Sequence, residues 1–194
     1  MTNRNNITGI ILSGGKSIRM GTDKGFLMFE NKPFIQHSID ALKQVVSEII
    51  IVSNNPNYDT FGFKRVEDII ENAGPVAGIY SGLKRSKTEY NLVLSCDIPL
   101  ITSEILKNLI EAVDDDSEVI QIESNGKKMP LIALYKKQCE TTFLKLLNKG
   151  ERKLQYAISL CKVKTVRLSI EDELFTRNIN TPDELKEIKK WTSQ

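Results

Sequence analysis

The sequence predicts an α/β fold in which helices cover a largely parallel central sheet. Two short β-branched runs, residues 7–12 and 49–52, lack the polar alternation of half-exposed strands and therefore fit strands buried on both faces. Between them, residues 34–46 carry apolar side chains at helical spacing, which gives one stripe that can pack on a sheet. A glycine-rich turn follows the first run, as expected where a parallel strand ends in a ligand-binding loop.

Length, composition and charge limit the classes of protein that fit. With 194 residues and 40% hydrophobic side chains, we expect one compact domain, residues 1–194, with a core of its own. The net charge of +2 gives no overall field for binding nucleic acid or a membrane. The polar first residues lack a signal-peptide core and no apolar run has membrane-spanning length, so we expect a cytoplasmic protein. The three widely spaced cysteines favour neither a disulfide framework nor a zinc site.

The loop after the first strand combines glycine with positive charge. Gly14 and Gly15 lack a Cβ atom, so their backbone can approach a ligand and direct N–H groups at anionic oxygens. Lys16, Arg19 and Lys24 can supply positive charge to the same ligand. This pattern predicts a phosphate-binding site at the carboxyl end of the first strand, although a glycine-rich surface turn with solvated basic residues has the same composition.

Two common phosphate-binding motifs do not fit this loop. The P-loop pattern, aligned on Gly15, Lys16 and Ser17, requires glycine at position 10, where the sequence has Ile10. The dinucleotide-binding pattern G-x-G-x-x-G is absent too, because the two glycines of the loop are adjacent. The spacing therefore disfavours P-loop phosphotransferases and Rossmann dinucleotide-binding enzymes.

Three later turns are expected at the same edge of the sheet. Asn54 follows the second strand, and Asp68 ends a short candidate strand at residues 64–67. Residues 74–78, GPVAG, form a rigid turn that opens a helix. Because ligands of open α/β sheets bind beyond the carboxyl ends of the strands, these turns can contact a ligand. The alternatives are an ordinary polar turn, a capping aspartate and a simple chain reversal.

Asp97 is the strongest candidate metal ligand. It follows residues 91–95, which fit a central strand, and a carboxylate at the tip of such a strand needs compensation for its charge. Mg²⁺ supplies that compensation, because it binds one or two carboxylates together with phosphate oxygens and water. A capping role for Asp97 is weaker, since Ser103 can cap the next helix. Cys96 fits a small buried side chain, because no neighbouring His or cation would activate its thiolate.

The second half of the chain extends the sheet and adds further helices. Asn125 and Gly126 predict a tight hairpin turn, which makes the sheet mixed. The other predicted elements are helices at 105–113 and 143–147, the second closed by Gly150, strands at 118–123, 130–135 and 161–168, and a final helix opened by a capping box at Thr181, Pro182 and Glu184.

Together, these motifs resemble those of a known enzyme family. Residues 13–24, SGGKSIRMGTDK, resemble the signature G-G-x-x-x-R-M-G-x-D-K of the nucleotidyltransferases that include the molybdenum cofactor guanylyltransferases. Similar motifs follow in the same order at residues 74–78 (GPVAG), 96–99 (CDIP), 150–153 (GERK) and 178–182 (NINTP). The resemblance extends from Ile7 to Trp191.

The resemblance implies both a fold and a reaction. The fold is a Rossmann-like three-layer sandwich of the nucleotide-diphospho-sugar transferase type, with a mostly parallel mixed central sheet. Its nucleotide-binding half spans about residues 7–100, and its acceptor-binding half about residues 101–191. In the implied reaction, the terminal phosphate of molybdopterin, or of Mo-molybdopterin, attacks the α-phosphorus of GTP, which releases pyrophosphate and leaves a guanine dinucleotide.

The resemblance also assigns roles to individual residues. Catalysis is assigned to Arg19, Lys24 and Asp97, with Mg²⁺ as the cofactor and Asp97 as its ligand. The implied GTP-binding residues are Leu12, Ser13, Gly14, Gly15, Lys24, Asn54, Asp68, Gly78 and Asp97. The implied molybdopterin-binding residues are Arg152, Asn178 and Asn180. Beyond GTP and molybdopterin, an accessory GTPase and a molybdoenzyme acceptor are candidate partners, whereas nucleic acid and membranes are not.

Two positions depart from the family pattern, and three other functions fit the motifs. Ser13 stands where alanine is common, and Met129 stands where histidine is frequent. The other functions are a CTP-dependent molybdopterin cytidylyltransferase, a sugar-1-phosphate nucleotidyltransferase and a non-catalytic GTP-binding regulatory protein. The presence of Arg19, Lys24 and Asp97 together argues against the last of these.

Overall fold

The computed structural model describes residues 6–14, 23–70 and 73–192. Within these ranges the chain forms nine β-strands and six α-helices, with short 3₁₀ helices at Lys24–Phe26, Pro56–Phe61 and Glu173–Thr176. The strands are β1 (Ile7–Leu12), β2 (Met28–Phe29), β3 (Lys32–Pro33), β4 (Glu48–Val52), β5 (Lys64–Val66), β6 (Tyr90–Ser95), β7 (Val119–Ser124), β8 (Lys127–Lys136) and β9 (Val163–Arg167). The α-helices are α1 (Phe34–Lys43), α2 (Gly74–Arg85), α3 (Ser103–Glu111), α4 (Cys139–Asn148), α5 (Leu154–Ser159) and α6 (Pro182–Thr192).

Seven of the described strands form one sheet in the order β5-β4-β1-β6-β8-β7-β9. The first four strands of this order run parallel to one another. Strand β8 is antiparallel to both of its neighbours, and β9 is parallel to β7. The predicted mostly parallel mixed sheet is therefore confirmed. Because β1, β4 and β6 are parallel, their carboxyl ends meet at one edge of the sheet.

Helices cover both faces of this sheet. On β1, Ile7 and Ile11 pack into the core under α1 and α3, whereas Ile10 packs into the core under α2 and α4. This division follows from the alternation of side chains along a strand. Helix α2 approaches β1 closely at Gly82, where an added Cβ would lie 2.5 Å from Cγ2 of Ile10. The result is the predicted three-layer arrangement of helices, sheet and helices.

A smaller apolar cluster holds the last loop of the chain beside the segment that follows the first loop. It contains Phe29, Phe34, Ile179 and Ile188, none of which is more than 1% exposed. Ile179 also donates its backbone N–H to the carbonyl oxygen of Asp97, at 2.8 Å. This anchor brings the polar residues on either side of Ile179 to the carboxyl end of β6.

Several local turn predictions are confirmed. The turn between β7 and β8 has φ values of 50° at Asn125 and 68° at Gly126, the left-handed conformation that this residue pair favours. Gly150 follows α4 with a φ of 76°, as expected for a helix C-terminus. Among the residues that the structure describes, no helix has the length and apolar character needed to cross a membrane.

Several helix boundaries differ from the prediction: α3 spans Ser103–Glu111 instead of 105–113, and α4 spans Cys139–Asn148 instead of 143–147. Helix α1 ends at Lys43, so residues 44–46 form a turn and the beginning of the next connection. The predicted capping role of Ser103 is wrong, because Thr102 is the N-cap of α3 and its Oγ1 accepts the N–H of Ile105 at 3.4 Å. Thr102 has the extended backbone that a cap requires, whereas Ser103 already lies in the first turn of the helix.

Candidate active site

A cleft of about 650 Å³ lies at the carboxyl ends of β1, β4 and β6. Strand β1 leads into residues 12–14 of its lining, β4 into residues 52–55, and β6 contributes Ser95. The other lining residues are Asp23, Asp68, Gly74, Pro75, Gly78 and Leu131. This is the position at which open α/β sheets bind their ligands.

Most of the residues predicted to bind nucleotide line this cleft. They are Leu12, Ser13, Gly14, Asn54, Asp68 and Gly78. A Cβ added at Gly14 would meet no heavy atom of the described residues within 4 Å, so those residues leave the space beside its backbone open. Gly15 and Arg19, which were predicted to act in the same loop, lie outside the described residues. The binding of nucleotide by this set stays a prediction.

Asp68 lines the cleft with a carboxylate that has one oxygen without a donor. Its Oδ1 is buried and accepts no hydrogen bond within the described part of the chain. Burial raises the pKa of this carboxyl group above its ordinary value. The backbone N–H of Asp68 donates to Oδ1 of Asn54 at 2.8 Å, which fixes the turn. A Cβ at Gly78 would lie 3.6 Å from the Asp68 Oδ1, so glycine keeps the space beside this oxygen clear.

Asp97 is nearly buried just beyond the end of β6. Its carboxylate receives three donors: Oδ2 accepts from Lys24 Nζ at 2.9 Å, and Oδ1 accepts from Ser95 Oγ at 2.6 Å and from Asn178 Nδ2 at 3.4 Å. These bonds supply the compensation that a carboxylate needs when it leaves water. The predicted position of Asp97 beyond the end of a central strand is confirmed, and its binding of metal stays a prediction.

Lys24 joins three separate segments of the chain at one point. It opens the 3₁₀ helix Lys24–Phe26, and its ammonium also donates to Oδ1 of Asn180 at 2.5 Å. The segment after the first loop, the end of β6 and the loop before α6 are thus connected through a single cation. The side chain of Lys24 is 22% exposed and that of Asp97 is 11% exposed, so water screens the pair only in part.

The loop before α6 is held by the predicted capping box. Oε2 of Glu184 accepts the backbone N–H groups of Asn180 and Thr181 at 2.6 and 3.0 Å, and Oγ1 of Thr181 accepts the N–H of Glu184 at 3.2 Å. The two backbone donors, that of Asn180 first, hold the pKa of Glu184 below its ordinary value. The box therefore fixes the backbone of Asn180, while its side chain contacts Lys24.

Two other predicted features lie away from this group. Arg152 is exposed in the connection between α4 and α5, and it is not one of the residues that line the cleft. Its predicted contact with molybdopterin stays a prediction. Cys96 is buried, and that burial, with a further contribution from Asp97, raises the pKa of its thiol to about 12. Cys96 is therefore a small buried side chain, as the sequence predicted.

The sequence analysis missed two sets of polar contacts at the site. The Ser95 hydroxyl donates a hydrogen bond to the Asp97 carboxylate. Its position at the end of β6, two residues before Asp97, was a signal that could have been used. Asp23, which lines the cleft, accepts hydrogen bonds from Tyr58 and Asn55. No local pattern predicts this second set, because the partners lie 35 and 32 residues apart in the chain.

Two oxygen atoms of the kind that suits a hard cation bond the Lys24 ammonium. Asp97 and Asn180 each offer it an oxygen, and the Oδ1 of Asn178 is buried without a hydrogen-bond partner among the described residues. Across residues 6–14, 23–70 and 73–192, no cluster of three or more His, Cys, Asp or Glu side chains could hold a metal ion. A divalent cation bound at Asp97 would need oxygens from a ligand or water as well, which is the usual mode of Mg²⁺.

Residues 9–162 match the sequence profile of the MobA-like NTP transferase domain. The chain belongs to the MobA-like NTP transferase family. The family predicted from the five motifs is therefore confirmed, and with it the enzyme class, nucleotidyltransferase.

Curated relatives cover nearly the whole length of this family member. A probable molybdenum cofactor guanylyltransferase from Flavobacterium johnsoniae is 34% identical over 182 residues, which are 94% of this chain and 96% of the relative. A molybdenum cofactor guanylyltransferase from Shewanella halifaxensis is 31% identical over 187 residues, covering 94% of this chain and 93% of the relative. Each match thus extends over more than nine-tenths of the chain.

Solved structures show that the fold is shared as well. Molybdopterin-guanine dinucleotide biosynthesis protein A from Archaeoglobus fulgidus has a TM-score of 0.81 at 21% identity, over 96% of this chain and 98% of that one. The 4-diphosphocytidyl-2C-methyl-D-erythritol synthase from Anaerococcus prevotii has a TM-score of 0.79 at 13% identity, over 98% and 97% of the two chains. These likenesses confirm the predicted nucleotidyltransferase fold of the MobA-like chain.

Proposed function

We propose that this protein transfers GMP from GTP to molybdopterin or Mo-molybdopterin, releasing pyrophosphate and forming the guanine dinucleotide of the molybdenum cofactor. Relatives that match 94% of the chain are named for this activity, which supports the choice of both substrates. The observation that carries the proposal is the meeting of Lys24, Asp97 and Asn180 beside the cleft at the carboxyl ends of β1 and β6.

The cleft is proposed to hold GTP. Residues 12–15 would contact the triphosphate, because the backbone at Gly14 faces open space and its N–H groups can approach phosphate oxygens. Asn54, Asp68 and Gly78 would contact the nucleoside. The buried Oδ1 of Asp68 has no donor among the residues that the structure describes, which suits a partner that brings hydroxyl or N–H groups, as a nucleoside does.

Mg²⁺ is the proposed cofactor, and Asp97 is its proposed ligand. The residues present fit a hard cation, because a carboxylate oxygen of Asp97 and the amide oxygen of Asn180 both bond the Lys24 ammonium. The amide of Asn178 also contacts Asp97, and its Oδ1 is buried without a hydrogen-bond partner among the described residues. When bound, Mg²⁺ would offset the negative charge of the reacting phosphates. One protein carboxylate is sufficient, because phosphate oxygens and water complete the coordination of this metal.

The residues of the chain are proposed to act by position and charge. An oxygen of the acceptor phosphate forms a bond to the α-phosphorus of GTP. The bond between the α-phosphorus and the oxygen that joins it to the β-phosphorus breaks, and pyrophosphate leaves with that oxygen. Lys24 and Arg19 would offset the charge that develops on the phosphates and on the leaving pyrophosphate. No general base is required, since a phosphate monoester is largely ionised near neutral pH. His37 is unsuited to that task, because its Nε2 lies 3.1 Å from the carbonyl oxygen of Phe29 and bonds there.

The acceptor is proposed to bind at the side of Asp97 where the last loop lies. Asn178 and Asn180 contact Asp97 and Lys24, so a molybdopterin phosphate beside them would be close to the α-phosphorus of GTP. Arg152 is the proposed charged contact for the pterin, because its side chain is exposed and open to a ligand. The halves at about 7–100 and 101–191 would then act as one nucleotidyltransferase domain in the cytoplasm, where an accessory GTPase and a molybdoenzyme acceptor are further proposed partners.

Nucleotide-dependent pyrophosphate release tests the proposal. Purified protein is incubated with Mg²⁺, molybdopterin and each of GTP, CTP, ATP and UTP, with sugar 1-phosphates as control acceptors. We expect release only when GTP and molybdopterin are both present. Release with molybdopterin and CTP but not GTP would make the enzyme a cytidylyltransferase. Release only with a sugar 1-phosphate would show that a sugar phosphate, and not molybdopterin, is the acceptor. Folded protein that binds GTP but releases no pyrophosphate would contradict catalysis.

A further inference from the structure

Tyr58 contacts both residues that flank Lys24 in the chain. It lies in the 3₁₀ helix Pro56–Phe61, and its side chain is fully buried. Its hydroxyl donates to Oδ1 of Asp23 at 2.5 Å. Its ring packs against Gly25, where an added Cβ would overlap the hydroxyl oxygen and lie 2.8 Å from Cε1. One side chain therefore fixes the backbone before and after Lys24.

The Asp23 carboxylate is the other half of this contact. Besides the Tyr58 hydroxyl, it accepts from Nδ2 of Asn55 at 3.0 Å and from the backbone N–H of Gly25 at 3.2 Å. Asn55 in turn accepts the backbone N–H of Asn57 at 3.0 Å, so the connection after β4 is rigid where it meets Asp23. Neither Asp23 nor Tyr58 has a part in the proposed chemistry, and the contact needs another explanation.

The hydroxyl of Tyr58 is a permanent donor in this setting. Burial is the largest cause that raises its pKa far above the ordinary value of 10.0, and the adjacent Asp23 carboxylate contributes to the rise. The hydroxyl therefore stays protonated over the whole physiological pH range, and Asp23 stays its acceptor. Aromatic packing holds the ring in place, since the rings of Tyr58 and Phe26 have centroids 4.7 Å apart.

We propose that Tyr58 is a positioning residue that holds the backbone at Lys24 so that the ammonium lies between Asp97 and Asn180. A lysine has a flexible four-carbon stem, so its ammonium can be held at one point only if the backbone that carries it is fixed. The bonds to Asp97 at 2.9 Å and to Asn180 at 2.5 Å show the point at which it is held. The inference rests on the function proposed for Lys24, and it extends that function to a residue outside the cation's own contacts.

Acetylation of the Lys24 amine by acetic anhydride tests this position in the whole, nucleotide-free protein. Tyr58→Phe removes only the hydroxyl. Tyr135→Phe is the matched control, because Tyr135 is also fully buried and its hydroxyl donates to the carbonyl of Pro130 at 2.8 Å. We expect the acetylation rate of Lys24, measured by peptide mass spectrometry against Lys32, to rise about fivefold in Tyr58→Phe, as for one lost hydrogen bond. It stays unchanged in Tyr135→Phe. Equal Lys24 rates in wild type and Tyr58→Phe would overturn the proposal.

A second variant covers the case in which Tyr58→Phe does not fold. Asp23→Ala removes the acceptor of the Tyr58 hydroxyl and keeps the aromatic packing of Tyr58. Its acetylation is compared with wild type in the same way. A faster reaction at Lys24 supports the positioning role, and an unchanged rate at Lys24 contradicts it.

A double-mutant cycle separates positioning from a general loss of stability. Tyr58→Phe is expected to lower kcat about tenfold in the wild-type background, the scale of a small misplacement of a reacting group. In the Lys24→Met background it lowers kcat less than about twofold, because the residue through which it acts is gone. An equal loss in both backgrounds would identify a structural effect and overturn the proposal. The acetylation measurement needs no substrate, so absence of turnover in the wild type would contradict the proposed function alone.

Discussion

The Lys24 ammonium lies 2.9 Å from the carboxylate of Asp97, which comes 73 residues later in the chain. The contact forms because β1 and β6 are parallel neighbours, so the segments that follow them leave the same edge of the sheet. The pair lies beside the cleft, since Ser95 lines the cleft and donates to the Asp97 carboxylate. In the proposed reaction, Asp97 and Lys24 meet a ligand that carries negative charge and brings a cation with it.

Asp97→Asn is expected to lower turnover about a hundredfold or more, the scale of losing one electrostatic contact to a transition state. Asparagine keeps the shape of the side chain but removes the charge that would hold a metal and pair with Lys24. The measurement is kcat for pyrophosphate release at saturating GTP and molybdopterin. Asp114→Asn is the control, because Asp114 bonds Ser117 and Lys164 away from the cleft lining. Full turnover by Asp97→Asn would show that Asp97 is not the metal ligand.

Asp68→Asn is expected to weaken GTP binding about tenfold, because the acceptor proposed for the nucleoside loses its charge. The measurement is the Kd for GTP by isothermal titration, with Asp59→Asn as a control. Asp59 is an exposed carboxylate that pairs with Arg65. Unchanged GTP affinity in Asp68→Asn would remove Asp68 from the nucleotide site.

Asp68→Asn is expected to weaken GTP binding but to raise the stability of the fold at neutral pH relative to wild type. The folded-state pKa of Asp68 is raised by burial above its ordinary value of 3.8. Wild-type stability therefore falls as the pH rises from below 3.8 through the folded pKa, since the ionised carboxylate is disfavoured in the fold. In urea denaturation, we expect the free energy of unfolding of Asp68→Asn to rise relative to that of wild type between about pH 3 and about pH 7. A stability difference that does not change with pH would contradict the burial of this charge.

Glu184→Gln is expected to lower stability at neutral pH. Backbone N–H donors hold the folded-state pKa of Glu184 below its ordinary value of 4.5. Its contribution is therefore present above 4.5 and lost as the pH falls through the folded pKa, so wild type and variant converge in acid. Chemical denaturation at several pH values measures the difference. A constant difference across the whole range would show that the charge at this cap is irrelevant.

Gly82→Ala is expected to destabilise the fold by about 1–3 kcal/mol, because helix α2 has no room for a Cβ above Ile10. The added Cβ would lie 2.5 Å from the Ile10 Cγ2. Combined with Ile10→Ala, the loss should be smaller than the sum of the two single losses, since the truncated side chain makes room. Urea denaturation of the three variants measures this, and strictly additive losses would contradict the close packing of α2 on β1.

Local sequence signals were sufficient where the partners of a residue are close in the chain. Local sequence alone predicts the conformation of the apolar run of β1, of the turn at Asn125 and Gly126 and of the capping box at Thr181. The structure contains all three. Asp97 was identified because a charge at the end of a buried strand needs a partner. The partner itself, Lys24, was predicted to act at the same site for a different reason, as part of the glycine-rich loop.

Contacts between distant segments could not be predicted in the same way. Tyr58 reaches Asp23 through a 3₁₀ helix whose sequence has no periodic signature, and the pairing depends on how the connection after β4 folds back. The N-cap of α3 was assigned to Ser103 because two adjacent hydroxyl residues, Thr102 and Ser103, satisfy the same preference. Only the backbone conformation, which is extended at Thr102, distinguishes them.

Formation of the dinucleotide tests most directly whether the enzyme transfers GMP to molybdopterin and needs Asp97 to do so. Wild type and Asp97→Asn are incubated side by side with Mg²⁺, molybdopterin and GTP labelled at the α-phosphorus, and the product is separated and weighed by mass spectrometry. We expect wild type to transfer the labelled GMP to molybdopterin and Asp97→Asn to leave the label in GTP. Labelled product from both proteins at equal rates, or none from folded wild type, would contradict it.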